Sequence, residues 1–238
     1  MDGKGTNARV HHRDLVVVGI IASLVAIAGF AVIDSLLVAS GSDGGQPDVF
    51  IDYDNDGEWD IGEPCFYGTD AIKNAIASAS DGDTIIVNKN ETTEYSGNIV
   101  VDKQLKIIGN ASDKPIVNAS LNANKPVGIH VRCSNVLIKN FIIHDGSIGV
   151  LVHRWAGNIS NVTISNCTLY DFRKVAGIPN TWYFPGGSGI ALTGAYSGVG
   201  KVTASKVLNN KIHECDRGIS LTCYWSNNMV SSNTISSN

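Results

Sequence analysis

"IKNFIIHD" (138–145), "ISNCTLYD" (164–171) and "VLNNKIHE" (207–214) are three versions of one phrase, and "VSSNTISS" (230–237) reads as a fourth. Aligned on Asn140, Asn166, Asn209 and Ser232, they carry Ile138, Ile164, Val207 and Val230 two positions earlier. Three positions later stand Ile143, Leu169, Ile212 and Ile235. A second phrase precedes each copy: "GIHV" at 128, "GVLV" at 149, "GIAL" at 189 and "GISL" at 218. These spacings give units of 21, 40 and 29 residues. A repeat of this length is the mark of an array in which each unit buries its apolar face against the next.

Within a unit the apolar residues are β-branched and alternate with polar ones, which predicts short strands broken by polar bends. No helix-length periodic stretch separates them. Asn stands at the bend because it tolerates the left-handed backbone region better than other non-glycine residues. Stacked units would bring these Asn side chains into a column about 4.8 Å apart, close enough for amide-to-amide bonds. Ahead of the repeats, "TDAIKNAIASAS" (69–80) places Ile72, Ala75, Ile76 and Ala79 at helical spacing, with Thr69 as the expected N-cap. "DGDTIIV" (81–87) reads as a turn and strand, and "GNIVVDKQLKIIGN" (97–110) as two strands around Asp102 and Lys103.

The run "DAIKNAIASASDGDTIIV…NIVVDKQLKIIGN" followed by Asn-rich repeats resembles the right-handed parallel β-helix superfamily. That group includes pectate lyases, polygalacturonases, nosD-like periplasmic proteins and repeat surface proteins of archaea and bacteria. The resemblance covers roughly residues 68–238. It implies an all-β fold, a parallel β-helix solenoid with a short N-terminal capping helix. It implies little about activity, because the superfamily holds lyases, hydrolases, epimerases, adhesins and inert coils. The paired-Asp and Arg-x-Lys motifs of polygalacturonases have no obvious match here, nor does the calcium and arginine set of pectate lyases.

The rest of the chain sets the context. Residues 15–33, "LVVVGIIASLVAIAGFAVI", form an apolar run of 19 that would span about 28 Å as a helix, close to the thickness of a bilayer's hydrocarbon core. Lys4, Arg9 and Arg13 precede it, and Asp34, Asp43 and Asp48 follow it. By the positive-inside rule the tail 1–14 is cytoplasmic, 15–38 is a transmembrane signal anchor in the lipid bilayer, and the remainder is extracellular. A cleaved signal peptide is the alternative. Sequons at Asn90, Asn110, Asn118, Asn158, Asn161 and Asn166 fit an outside location, although Asn-rich repeats generate them by chance. The five cysteines have no zinc-site spacing and read as small core residues or one or two disulfides.

Net charge is −4 with only 17% charged residues, which does not point to nucleic acid. Six acids fall in one loop, "DYDNDGEWDIGE" (52–63); without them the chain would be +2. Asp52, Asp54, Asp56, Asp60 and Glu63 occupy the first, third, fifth, ninth and twelfth positions of a calcium loop, with Glu58 at the seventh and Gly57 at the sixth. This predicts Ca2+ bound in a linker, 39–64, ahead of a β-helix over 65–238. Flanking helices are missing, so the expected role is a stiffening clip rather than a helix–loop–helix sensor.

Three candidate surfaces follow from the alignment. Asp145, Asp171 and Glu214 form an outward acidic column beside His144, Tyr170 and His213. Paired carboxylates about 5–9 Å apart serve glycoside hydrolysis; acids at strand ends also serve turns. His130, Arg132, His153 and Arg154 form a basic patch. By the resemblance to lyases, Arg132 would be the base in β-elimination; ordinary surface charge is the alternative. Trp182, Tyr183 and Phe184 lie in an insertion, 172–187, where they can stack on sugars or a partner protein, or cover the coil itself. The last unit stops at "SSNTISSN" without a capping segment, which leaves self-association or a longer protein as expectations. The sequence thus favours a non-catalytic surface protein that binds a polysaccharide or envelope protein. A lyase or hydrolase acting on acidic polysaccharide and a purely structural coil are the alternatives.

Overall fold

A computed structural model describes residues 46–121, 126–154, 157–174, 186–194, 200–222, 229–231, 234–236 and 238. The expected anchor 15–38 and the aromatic triplet Trp182, Tyr183 and Phe184 lie outside the described residues. Among the described residues no helix is long and apolar enough to cross a membrane.

The described chain is all-β with mostly parallel sheets and one short α-helix, Ala71–Ser78. Four sheets, here I to IV, contain eight, five, five and three strands. The chain visits them in rotation. Val136–Lys139 belongs to sheet I, Ile142–Gly146 to II, Ile148–Val152 to III and Ile159–Ser160 to IV; Val162–Ser165 then returns to I beside Val136–Lys139. Successive strands within a sheet therefore come from successive repeats.

Registration is set by the apolar slots. In sheet I, Ile85, Ile107, Ile138, Ile164, Val207 and Ile235 are partners in order. In sheet II the column is Tyr95, Val117, Ile143, Leu169 and Ile212. In sheet III it is Ile99, Ile129, Val150, Ile190 and Ile219. Most of these side chains are fully buried in one continuous core. A one-residue slip would turn each column outward, so burial specifies the register.

The bends match the expectation at Asn140, Asn166 and Asn209, with φ of 65°, 55° and 56°. Asn166 donates its side-chain amide to Asn140 Oδ1 at 2.6 Å. Two further columns of left-handed bends accompany this one: Asn135, Asn161 and Ala204, which the alignment does not mark, and Asp145, Asp171 and Glu214, where a turn is one of the two expected roles. The first repeats the ladder, with Asn161 Nδ2 donating to Asn135 Oδ1 at 2.8 Å. The Gly of the second phrase is steric in origin at Gly128, Gly149 and Gly189, whereas Gly218 has room for a side chain. A Cβ on Gly149 would lie 2.5 Å from Gly189 O and 2.7 Å from Leu169 Cδ2.

The fourth copy of the repeat is corrected. Val230 pairs with Val202, and Ile235 with Val207, not with the Ile143 column. Apolar residues five apart occur at two consecutive bends, as Val202/Val207 and Val207/Ile212, and both frames suit "VSSNTI". Asn238 confirms the observed frame. Its Nδ2 donates to Val207 O at 3.0 Å, as Asn210 Nδ2 donates to Ile164 O at 3.1 Å one strand earlier.

The helix buries Ala71, Ile72, Ala75 and Ile76. Its N-cap is Asp70, without a side-chain cap bond, rather than Thr69, whose carbonyl instead accepts Ser96 N–H. At the other end Lys103 Nζ donates to the carbonyls of Ile76, Ala77 and Ala79 at 2.9, 2.8 and 2.6 Å. It satisfies orphan carbonyls and complements the negative end of the helix. Val49–Asp52, within the expected linker, is a buried strand of sheet I, antiparallel to both Cys65–Phe66 and Thr84–Val87.

Candidate functional site

The acidic loop joins the hairpin strands Val49–Asp52 and Cys65–Phe66. Asp52 ends a buried strand, and its carboxylate accepts Asn55 N–H at 2.6 Å and Gly57 N–H at 3.0 Å. Gly57 has φ +85°, so the bend at the sixth position needs a residue without a side chain. Glu63 accepts Tyr53 N–H on one oxygen at 2.7 Å and Asp60 N–H on the other at 3.1 Å, folding the loop's end onto its start. Thr84 Oγ1 bonds Asn55 Oδ1 at 2.6 Å and ties the loop to sheet I.

Two groups of carboxylates come together, Asp52 with Asp54 and Glu63, and Asp54 with Asp56 and Asp60. Within each, one ligand oxygen per residue lies within 4.8 Å of the others. This all-oxygen set could hold a hard metal ion. Glu58 joins neither group. Its seventh position supplies a backbone carbonyl in such loops, so its side chain is not required.

The outer face of sheet II carries the second candidate. His144, Tyr170 and His213 are register partners on adjacent strands. Their rings stack with centroids 5.2 and 5.3 Å apart and planes within 10° and 7° of parallel. His144 is buried between two acids: Nε2 is 3.1 Å from Glu94 Oε1 and Nδ1 is 3.0 Å from Asp145 Oδ2. Glu94 is fixed in turn by Asn118 Nδ2 at 2.7 Å. Burial raises the Tyr170 phenol above its usual range, and the charges of Glu94, Asp145, Asp171 and Glu214 push the same way. Tyr170 is therefore a neutral hydrogen-bonding group at physiological pH.

Asp145, Asp171 and Glu214 do stand at the ends of successive strands, Glu214 just past His213, but each has its own basic neighbour. Asp145 faces His144, Asp171 lies 3.7 Å from Arg173, and Glu214 lies 3.6 Å from His213. They are not among the carboxylate groups that converge closely enough to share a metal. Glu94 is the member that repeat alignment misses. It precedes the first recognisable unit, and the strand Tyr95–Ser96 beside it offers only two residues of pattern.

The expected basic patch is corrected. Both histidines are buried, His130 at 9% and His153 at 2% exposure, whereas Arg132 and Arg154 are exposed. Arg132 Nε donates to His130 Nδ1 at 3.3 Å, and His130 Nε2 lies 3.1 Å from His153 O. Accepting at Nδ1 and donating from Nε2 makes His130 a neutral ring in this chain of bonds. Burial, reinforced by Arg132, lowers the His153 pKa to about 4, so it too is neutral near pH 7. Arg132 follows a strand of sheet III, whereas the acidic column lies along sheet II.

Compared with protein-family models, curated proteins and solved structures, the chain matches none.

Proposed function

We propose that this chain is a membrane-anchored, extracellular right-handed parallel β-helix that binds a hydroxyl-rich polysaccharide or envelope partner on the outer face of sheet II without cleaving it. The rotation through four sheets and the in-register apolar columns support the β-helix. The apolar run 15–33, with bases before it and acids after it, supports the anchor over 15–38.

The observation that carries the binding face is the stack His144–Tyr170–His213 with an acid beside each ring position. Stacking occupies the ring faces and both His144 nitrogens are held by acids, so the face would recognise a ligand through hydrogen bonds from its acids, Tyr170 and His213 rather than by ring stacking. Polar groups recurring every strand, about 4.8 Å apart, suit a ligand that is itself repetitive. Glu94, Asp145, Asp171 and Glu214 make the face acidic, which favours neutral or amino sugars over a polyuronate. The separately paired carboxylates weigh against hydrolysis, which needs one free acid and one free base across a scissile bond.

Calcium in the 52–63 loop belongs to the same proposal. The ion would be held by Asp52, Asp54, Asp56, Asp60 and Glu63, with the carbonyl of Glu58 as a further ligand. It would supply charge neutralisation and stiffness rather than chemistry.

A polysaccharide panel tests the reading. The expected result is retention of a neutral or amino-sugar polymer with no new reducing or unsaturated ends. Release of such ends would instead make the chain an enzyme, and failure to retain any polymer or envelope fraction would leave a structural coil.

A further inference from the structure

The six sequons are not equivalent once folded. Asn90 and Asn118 spend their amide nitrogens on carboxylates: Asn90 Nδ2 donates to Asp48 Oδ2 at 2.8 Å, and Asn118 Nδ2 to Glu94 Oε2 at 2.7 Å. Asn161 and Asn166 spend theirs on the bend ladders, on Asn135 and Asn140. Asn158 directly precedes the strand Ile159–Ser160, and its Oδ1 accepts Lys201 N–H at 3.0 Å from the next strand of the sheet. Its hydroxyl partner Ser160 is held within that strand pairing.

Asn110 differs. It is exposed, as Asn158, Asn161 and Asn166 also are, but it follows the strand Lys106–Gly109 and opens the bend 111–113. Its Oδ1 accepts Ser112 N–H at 3.0 Å and Ser112 Oγ–H at 2.8 Å, while among the described residues Nδ2 donates to none. The tripeptide is thus an exposed Asx turn with the hydroxyl residue already folded onto the asparagine and the nitrogen available.

We infer that Asn110 is the N-glycosylation site of this chain and that the other five sequons serve the fold. This rests on the extracellular reading above, since the modifying enzyme and its donor act outside the cytoplasm. The donor is an oligosaccharide linked to a lipid diphosphate. Asn110 Nδ2 forms a bond to the anomeric carbon as the bond from that carbon to the diphosphate breaks; the amide nitrogen gives one proton to the transferring enzyme, and the lipid diphosphate leaves. A sugar placed on Asn90, Asn118, Asn161 or Asn166 before folding would displace a bond on which adjacent strands depend.

The test is expression of the full chain in a host that N-glycosylates, with surface labelling of intact cells and glycopeptide mass spectrometry. The expected surface chain carries one glycan, at Asn110, and N110Q removes it without moving the melting temperature. N166Q, in contrast, lowers the melting temperature. A surface-exposed chain with Asn110 unmodified overturns the inference alone, as does a folded chain modified at Asn118 or Asn166. A chain that fails to reach the surface overturns the extracellular reading and the inference together.

Discussion

The side-chain amide of Asn166 donates to Asn140 Oδ1 across 2.6 Å, and both residues hold left-handed backbone. The pair does two jobs, a bend that few side chains tolerate and a bond between adjacent strands. Asn166→Ala loses both and is expected to cost about 2–3 kcal/mol, from left-handed strain of about 1–2 kcal/mol and a hydrogen bond of about 1 kcal/mol. Asn166→Gly loses only the bond and should cost less. Denaturant unfolding of the two variants separates the contributions; equal losses would show that the backbone conformation is unimportant here.

Gly149 tests the packing between adjacent repeats. A methyl group there meets a backbone carbonyl at 2.5 Å and two buried side chains within 3 Å. Gly149→Ala should destabilise by about 1–3 kcal/mol, the cost of overpacking a well-filled core. Gly82→Ala serves as the control for backbone strain, because its φ is +98° yet nothing lies within 4 Å. A smaller loss at Gly149 than at Gly82 would contradict the steric account.

Acid should weaken the fold through His153. Its pKa falls from 6.5 in the unfolded chain to about 4 when buried. The unfolded state then binds the proton first, so this contribution is complete above pH 6.5 and is lost progressively as pH falls toward 4. The difference corresponds to about 3 kcal/mol. A His153→Gln variant should show a flatter stability profile between pH 7 and 4, read by thermal melts in matched buffers. An unchanged slope would assign the acid sensitivity to other groups.

Calcium should raise the melting temperature and slow proteolysis within residues 52–63, and a chelator should reverse both. Asp52→Asn and Glu63→Gln should abolish the shift, whereas Glu58→Gln should retain it, since its side chain joins neither carboxylate group. If calcium changes neither melting nor cleavage, the loop is only an acidic hairpin turn.

Much of the architecture is legible in the sequence because the apolar slots recur. Ile138, Ile164 and Val207 fall in one column, and the Asn bends fall where the alignment puts them. The fourth unit is misread because a five-residue apolar spacing recurs at consecutive bends, so composition alone cannot fix the frame. The left-handed conformation of Asp145, Asp171 and Glu214 is hidden for another reason. Acids at strand ends read as turn residues or as chemistry, and it is the turn that the backbone imposes here, in a left-handed form that favours Asn or Gly and that an acid does not announce. His130 and His153 alternate with the inward apolar residues, as strand periodicity requires, but periodicity does not tell whether an outward side chain is covered. Strand Val49–Asp52 is missed because four apolar-rich residues beside an acidic loop give too short a pattern.

The binding face on sheet II is tested most directly by calorimetric titration of the retained polysaccharide against two variants. Asp171→Asn with Glu214→Gln should weaken binding at least tenfold while the fold is kept, and Arg132→Ala on sheet III should leave affinity unchanged. Unaltered binding by the first variant, with loss in the second, would place the ligand on the other face and contradict the account.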